Sequence, residues 1–385
     1  MRVRAWNFET RAPHDVRGLQ GLLASGAVRA EDVRCVLGKT EGNGGRNDFT
    51  RDLAMGAYEA LLAPRLGCAP EAVQDRVVFS FSGGTEGVVT PHAVVIAQEG
   101  AALAAPRAEK RLAVAVGYTR DFAPEEIGRM PQVLETARVV RELVASLRVD
   151  GPGDVHLVQM KGAIPSYTHA EGEAAAAAGA PMRSDMVYSR GASALGVALA
   201  LGEVSAEQLS DAVICRDWSL YSGVASCSAK PGLRRTEVLV FANSRYATGD
   251  LVIAHGVLQD ILDADGVRAV ARDAGLDVAR LADDATERAR LVGAFAKSEA
   301  DPRGTVRGRR HTMLTDDDIG DTRYSRCVLA SVIAKEVAGQ EIHAFSQSVA
   351  RGHELGLVND RLLGFVQANA RKLNDALDVT LDRHF

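Results

Sequence analysis

Three stretches of this chain repeat one order of residues, and that order limits the folds open to it. Each begins with an apolar, strand-like run closed by a lysine: "VRCVLGKTEG" (Lys39), "DVHLVQMKGA" (Lys161) and "RLVGAFAKSEA" (Lys297). Of the 45 basic residues only seven are lysines, and an ammonium at the inner end of a buried strand is unusual because it prefers water. After a loop, each run is followed by an arginine leading a small-residue segment: "TRDLAMGAYEALLA" (Arg51), "SRGASALGVALALG" (Arg190) and "TRYSRCVLASVIAKEVAG" (Arg323). Apolar positions spaced by three and four predict helices lying on a sheet, with Thr50, Ser189 and Thr322 placed as N-caps. A serine-bearing strand closes each set: "RVVFSFSGGTE", "LYSGVASCSAKPG" and "EIHAFSQSVARG". In two copies a β-branched run follows, "HAVVIA" and "TEVLVFA".

The recurrence predicts an α+β fold of three homologous units, roughly 1–105, 106–240 and 241–385. Their arrangement is expected to be pseudo-threefold around a central sheet or barrel core, helices outside, with the Lys, Arg and Ser sets converging near the axis. A chain of 385 residues is long enough for two or three cores. With 46% hydrophobic and 25% charged residues it reads as soluble and globular. A net charge of −5 argues against a nucleic-acid partner, which needs a basic face. The five cysteines are scattered without a C-x-x-C pair, which disfavours a disulfide framework or a structural zinc site. "MRVRAWNFET" lacks a signal peptide's apolar core and no apolar run reaches the length of a membrane span, so the expected home is the cytoplasm, with no membrane partner. The Ala-rich "EGEAAAAAGAP" reads as a surface segment, flexible or helical.

Several motifs fail on their own physics. "GKT" at Gly38–Thr40 invites a phosphate-loop reading, but the cradle needs a glycine five residues earlier, where Val33 stands. Dinucleotide, zinc-protease and α/β-hydrolase signatures are missing from their required contexts. None of the nine histidines sits in a ligand or base pattern, so lysine is left as the base for a serine. Such a lysine must be neutral to accept a proton, so its pKa has to fall from about 10.4. Burial and nearby arginines both act that way, and Lys161, after "VHLVQM", meets the demand. No S-x-x-K pair exists, so the dyad must be assembled in space. A serine followed by a small residue offers a hydroxyl and a backbone N–H to one carbonyl oxygen. Arginines add forked donors. Three such sets around an axis suit a flat ligand with three carbonyls.

These residues resemble the cyanuric acid hydrolase/barbiturase family of ring-opening cyclic amide hydrolases. The matching stretches are "GKTEGNGGRNDFTR", "FSFSGGTEGVVTPH", "VQMKGA", "YSRGASALGVALALGE", "ASCSAKPG", "FANSR" and "GRRHTMLTDDDIGDTRYSR". The resemblance implies three Ser–Lys pairs at the centre of a three-unit fold, assembled as a homotetramer. It makes Ser228 the nucleophile and Lys161 its base, with Ser226, one pleat away on the same face, as the second choice. Lys39 with Ser82 and Gly83, and Lys297 with a third-unit serine, would polarise the other ring carbonyls. Ser346-Gln347 is the third serine pair, with Ser348 as runner-up. Arg51, Arg190 and Arg323 would bind the ring, and the Ala229 N–H would help hold the oxyanion. The expected substrate is a planar cyclic amide, cyanuric acid or barbituric acid in type, and no redox cofactor is required. The family's structural divalent cation would have Glu299 as its acidic ligand, but the Gly/Pro-rich loop that accompanies it is replaced here by "HAFSQSVARGHELGLVND". That departure also allows a non-catalytic protein that keeps the pocket for a planar heterocycle.

Overall fold

The computed structural model describes residues 1–338 except 46, 85–87, 282, 299–303 and 313–320, and the strands at 344–346, 353–359 and 363–368. For 321–323, 338 and those three strands only the backbone is described. The chain runs β1 (Arg2–Glu9), α1 (Arg17–Ala24), β2 (Val33–Thr40), α2 (Thr50–Leu66), β3 (Val78–Gly83) and β4 (His92–Glu99). Next come β5 (Arg111–Tyr118), α3 (Met130–Leu147), β6 (Val155–Ile164), α4 (His169–Ala177), α5 (Met186–Leu201), β7 (Ala225–Pro231) and β8 (Glu237–Ser244). The last stretch holds β9 (Ile253–Val257), α6 (Ala264–Asp273), α7 (Ala285–Arg288) and β10 (Leu291–Lys297). It continues with the short β11 (Thr305–Val306) and β12 (Arg309–Arg310), then α8 (Asp321–Ile333), β13 (Ala344–Ser346), β14 (His353–Asn359) and β15 (Leu363–Ala368).

The strand order repeats. The first sheet is β1-β4-β2-β3 and the second β5-β8-β6-β7. In each, the lysine strand is antiparallel to one neighbour and parallel to the serine strand. Parallel neighbours need a crossover, and α2 and α5 supply it. The third sheet contains β9-β14-β10-β13 with the same directions, and β15 pairs with β9, β10 and β14 besides.

Period-two alternation sorts each strand's side chains between two layers. Cys35 and Leu37 of β2, Val94 and Ile96 of β4, and Leu239 and Phe241 of β8 enter one central core, joined by Ile253 of β9 and Phe295 of β10. The intervening Val36, Val95 and Ala97 pack under α1 and α2. Val238, Val240 and Ala242 pack under α3 and α5 in the same way. The helices thus lie outside and the sheets' inner faces meet. Among the described residues the sheets are open, and apolar side chains from all three pack together at the centre.

The predicted caps are corrected. α2 begins at Thr50 itself, after Phe49, which makes no side-chain cap. The cap of α5 is Asp185, accepting from the Tyr188 N–H, four residues ahead of Ser189. Thr322 lies within α8. At the other end Gly67 (φ 64°) and Gly202 (φ 76°) take the left-handed cap conformation that favours glycine. The Ala-rich segment forms α4, with no buried residue.

Candidate active site

Strand register brings the predicted pairs side by side. Lys39 pairs with Ser82 across β2 and β3, and Lys161 with Ser228 across β6 and β7. Lys39 shares the parity of Cys35 and Leu37, and Lys161 that of Leu157, so both amines leave the inner face just beyond the central core. One step nearer the core is a buried polar layer: the Gln159 amide donates to Ser80 Oγ at 3.3 Å, and Ser226 Oγ donates to Gln159 Oε1. Ser226 and Ser228 therefore share a face but not an environment.

The hydroxyl of Ser228, 8% exposed, donates to the Met160 carbonyl at 3.1 Å. Lys161 Nζ reaches across to the Phe81 carbonyl at 3.3 Å, and Lys39 Nζ donates to the Gly83 carbonyl at 3.2 Å. The end of β3 therefore receives amines from two different sheets. Burial pulls the Lys161 ammonium down to about 7, helped by the Arg51 cation and partly opposed by Glu237. That is the shift a lysine base requires. Lys297, at the end of β10, is buried and lies close enough to add to the positive potential at Lys161.

Arg51 comes in on the first turn of α2, held by the carbonyls of Asp48 and Gly45. Asp48 is buried, and its carboxylate accepts the Gly44 N–H at 2.8 Å and the Thr50 N–H at 3.1 Å. A β-carbon on Gly42 or Gly83 would overlap that carboxylate, so the loop before α2 seats directly on the Ser82–Gly83 turn. Two of the hydroxyls read as caps, and Ser325 of α8, tie helix to strand end instead. Thr50 contacts Thr40 at 2.9 Å, Ser189 donates to the Ala163 carbonyl at 2.6 Å, and Ser325 and Ser298 lie 3.0 Å apart. Arg190 follows Ser189 and is half-buried.

A cavity of about 120 Å³ opens where these elements meet, lined by Arg51, Phe81, Lys161, Ala229 and Lys230 among others. Arg51 from one sheet's helix thus meets Lys161 and Ala229 of the next, which no local motif foretold. Of the remaining expected residues, the backbones of Arg323 and Ser346 lie on α8 and β13. Gln347, Ser348 and Glu299 fall outside the described residues. Among the described residues no group of three or more His, Cys, Asp or Glu side chains could hold a metal ion. Nor is any helix there long and apolar enough to cross a membrane. Three residues were missed: Asp48, Gln159 and Glu237. Glu237 opens β8, a strand buried but for the half-buried Asn243, and nothing local in the sequence marked it.

The family described as amidohydrolase ring-opening protein matches residues 4–354. A cyanuric acid amidohydrolase of Enterobacter cloacae is 45% identical over 359 residues, 91% of this chain and 96% of that protein. A cyclic amide hydrolase of Azorhizobium caulinodans is 43% identical over 339 residues, 87% of this chain and 92% of that protein. A solved cyanuric acid hydrolase structure, described as evolutionary innovation by structural concatenation, superposes with a TM-score of 0.81 at 39% identity, covering 93% of this chain and 99% of that one. A second, from A. caulinodans, gives 0.78 at 38% identity, covering 94% of this chain and 99% of that one. On this evidence the chain belongs to the ring-opening amidohydrolases and is a hydrolase enzyme.

Proposed function

We propose that the protein opens the ring of a planar cyclic amide, cyanuric acid or barbituric acid in type, through a Ser228–Lys161 dyad and an acyl-enzyme. The observation that carries this reading is the register of Lys161 beside Ser228, with the amine brought down to about 7 by burial and by Arg51. Neutral Lys161 takes the Ser228 proton, and Oγ attacks a ring carbonyl carbon. The oxyanion is held by the Ala229 N–H, with Arg51 supplying positive charge nearby. Lys161 returns its proton to the departing ring nitrogen as the C–N bond breaks. Water, deprotonated by the same amine, then cleaves the ester. Cyanuric acid would give carboxybiuret, which loses carbon dioxide to leave biuret; barbituric acid would give ureidomalonate.

In this reading Lys39 with Ser82 and Gly83, and Lys297 with Ser346-Gln347, clamp the other ring carbonyls, and Arg190 and Arg323 complete a pseudo-threefold set around the ring. The repeated strand order across the three sheets supports that arrangement. The chemistry as written uses an amine, a hydroxyl and water. A homotetramer, implied by the family, and a cytoplasmic location belong to the same reading.

The test is a substrate panel of cyanuric acid, barbituric acid and cyclic imides, followed by loss of ring ultraviolet absorbance, with and without chelator. Ser228→Ala and Lys161→Ala should each lower kcat by at least about 10³-fold while a thermal shift by the substrate persists. Full turnover in either variant sinks these roles. Binding without turnover by the unaltered protein across the whole panel would favour a non-catalytic heterocycle-binding protein.

A further inference from the structure

Lys161 has a second neighbour in register. Across β6 and β8 it pairs with Glu237, on the strand opposite to Ser228's. Glu237 shares the parity of Leu239 and Phe241, so its side chain leaves the same inner face, and it is 5% exposed. Ser228, Lys161 and Glu237 therefore form one row across three adjacent strands, about 4.8 Å per step. The same row in the first sheet reads Ser82, Lys39, His92, with an imidazole where the second sheet has a carboxyl group. In the third sheet Lys297 pairs with Glu354.

We propose that Glu237 is a positioning residue acting through Lys161: it is the counter-charge for the ammonium that forms there when Ser228 gives up its proton. The inference rests on the Ser228–Lys161 reading above. Among the described residues Arg51 from α2, Lys230 from β7 and Lys297 from β10 oppose a new cation on that amine, while Asp52 of α2 lines the same cavity and is paired with Lys230. Glu237, the amine's neighbour in register, favours that cation. Around the carboxyl group stand Lys161, Lys230 and Arg235, which favour its charge, and Glu59 of α2, which opposes it; Tyr118 of β5 also lies in its field. Burial dominates and raises Glu237 to about 7, where the Lys161 amine also titrates. The active form is then neutral Lys161 beside ionised Glu237. Proton transfer from Ser228 Oγ to Lys161 Nζ converts it to an ammonium–carboxylate pair, with no further proton moved. The arrangement parallels the acidic member of a Ser-His-Asp triad, which steadies the cation formed on its base.

Glu237→Gln tests this, because it keeps the shape and removes the charge. Without the carboxylate Lys161 loses its proton more easily, so the ascending limb of kcat/KM against pH should move about one unit lower. The plateau kcat should fall about ten-fold, since the ammonium then forms unaided. The same shift is read without turnover from the pH dependence of Lys161 acetylation, by peptide mass spectrometry, with Lys39 in the same digest as a control that stays put. An unmoved limb and an unmoved acetylation profile overturn the proposal, whatever the loss of activity, because a structural role alone leaves both in place. If Glu237→Gln does not fold, Glu237→Asp, which draws the charge back, should move both readings in the same direction by less; no movement is again refutation. Full turnover by Lys161→Ala with a shifted acetylation profile would instead discard Lys161 as the base while leaving its coupling to Glu237 intact.

Discussion

Ser226 and Ser228 are two places apart on one strand, face the same way and are both buried. What separates them is their neighbour across the ladder: Gln159 for Ser226, Lys161 for Ser228. The Ser226 hydroxyl is committed to the Gln159 amide, whereas that of Ser228 rests on a carbonyl beside an amine that titrates near neutrality. Ser226→Ala should therefore keep kcat within a few-fold and cost about 1 kcal/mol in urea unfolding. Turnover lost in Ser226→Ala and retained in Ser228→Ala would reverse the assignment. The pH dependence follows from the same amine. In the proposed mechanism Lys161 must be neutral to act, so kcat/KM should rise with pH through about 7 and fall away below it. The lysine was legible because closing an apolar run violates its preference for exposure, but which serine it meets was not, since Ser226 and Ser228 share a face until the parallel register pairs Lys161 with Ser228. Glu237 was not, since a charge opening a strand reads as an ordinary solvated end until the register places it beside Lys161.

At the level of elements, the helix starts show where local rules lost to packing. Thr50 and Ser189 precede Arg51 and Arg190 as caps would, yet their hydroxyls bond to the ends of the lysine strands instead. A cap satisfies its own helix; these contacts set the height of the helix over the sheet, and no window of sequence around Thr50 contains Thr40's position in space. Asp48 has the same character. Its carboxylate fills the space above Gly83, so Gly83→Ala should displace the loop carrying Arg51 and raise KM about ten-fold or more, with a smaller change in kcat. An unchanged KM would show that the loop is not held there. The contact between β6 and β9 carries a different liability. His156 and His255 face each other Nδ1 to Nδ1 at 2.8 Å, and Asn243 donates to His156 Nε2. Burial, then the facing ring and Lys110, bring His156 down to about 3; burial also lowers His255. Unfolded histidines titrate near 6.5. The pair's contribution is thus complete above that pH and is lost as pH falls towards 3. Between pH 7.5 and 5.5 it should cost about 1–3 kcal/mol, and His255→Gln should flatten that loss in urea titrations. Equal slopes in both proteins would clear the pair.

For the whole molecule, the residue order repeated in the sequence has a counterpart in the repeated strand order, but it does not say how the sheets share their apolar surface. Each lysine strand has two buried faces, and the sequence pattern of "VRCVLGK" or "VHLVQMK" does not say which face meets a helix and which meets another sheet. The answer is a single central core with Cys35, Leu157, Phe241, Ile253 and Phe295 drawn from all three sheets. Units joined in this way lose their inner face when any neighbour opens, so they should unfold together even though a chain of this length often shows intermediates. The chain's two tryptophans give separate reporters: Trp6 packs under the first sheet's helices and Trp218 belongs to a cluster beside α5. Proteins carrying only one of them, with phenylalanine at the other position, should report the same urea midpoint. Phe241→Ala removes a fully buried ring from the shared core and should cost about 3–5 kcal/mol. Because the cost falls on the common core, both tryptophans should shift by the same amount, including Trp6, which belongs to a different sheet from residue 241. A midpoint that moves at Trp218 while Trp6 stays in place would mean that the sheets fold separately. The site between Arg51 and Lys161 would then depend on docking and not on a common fold.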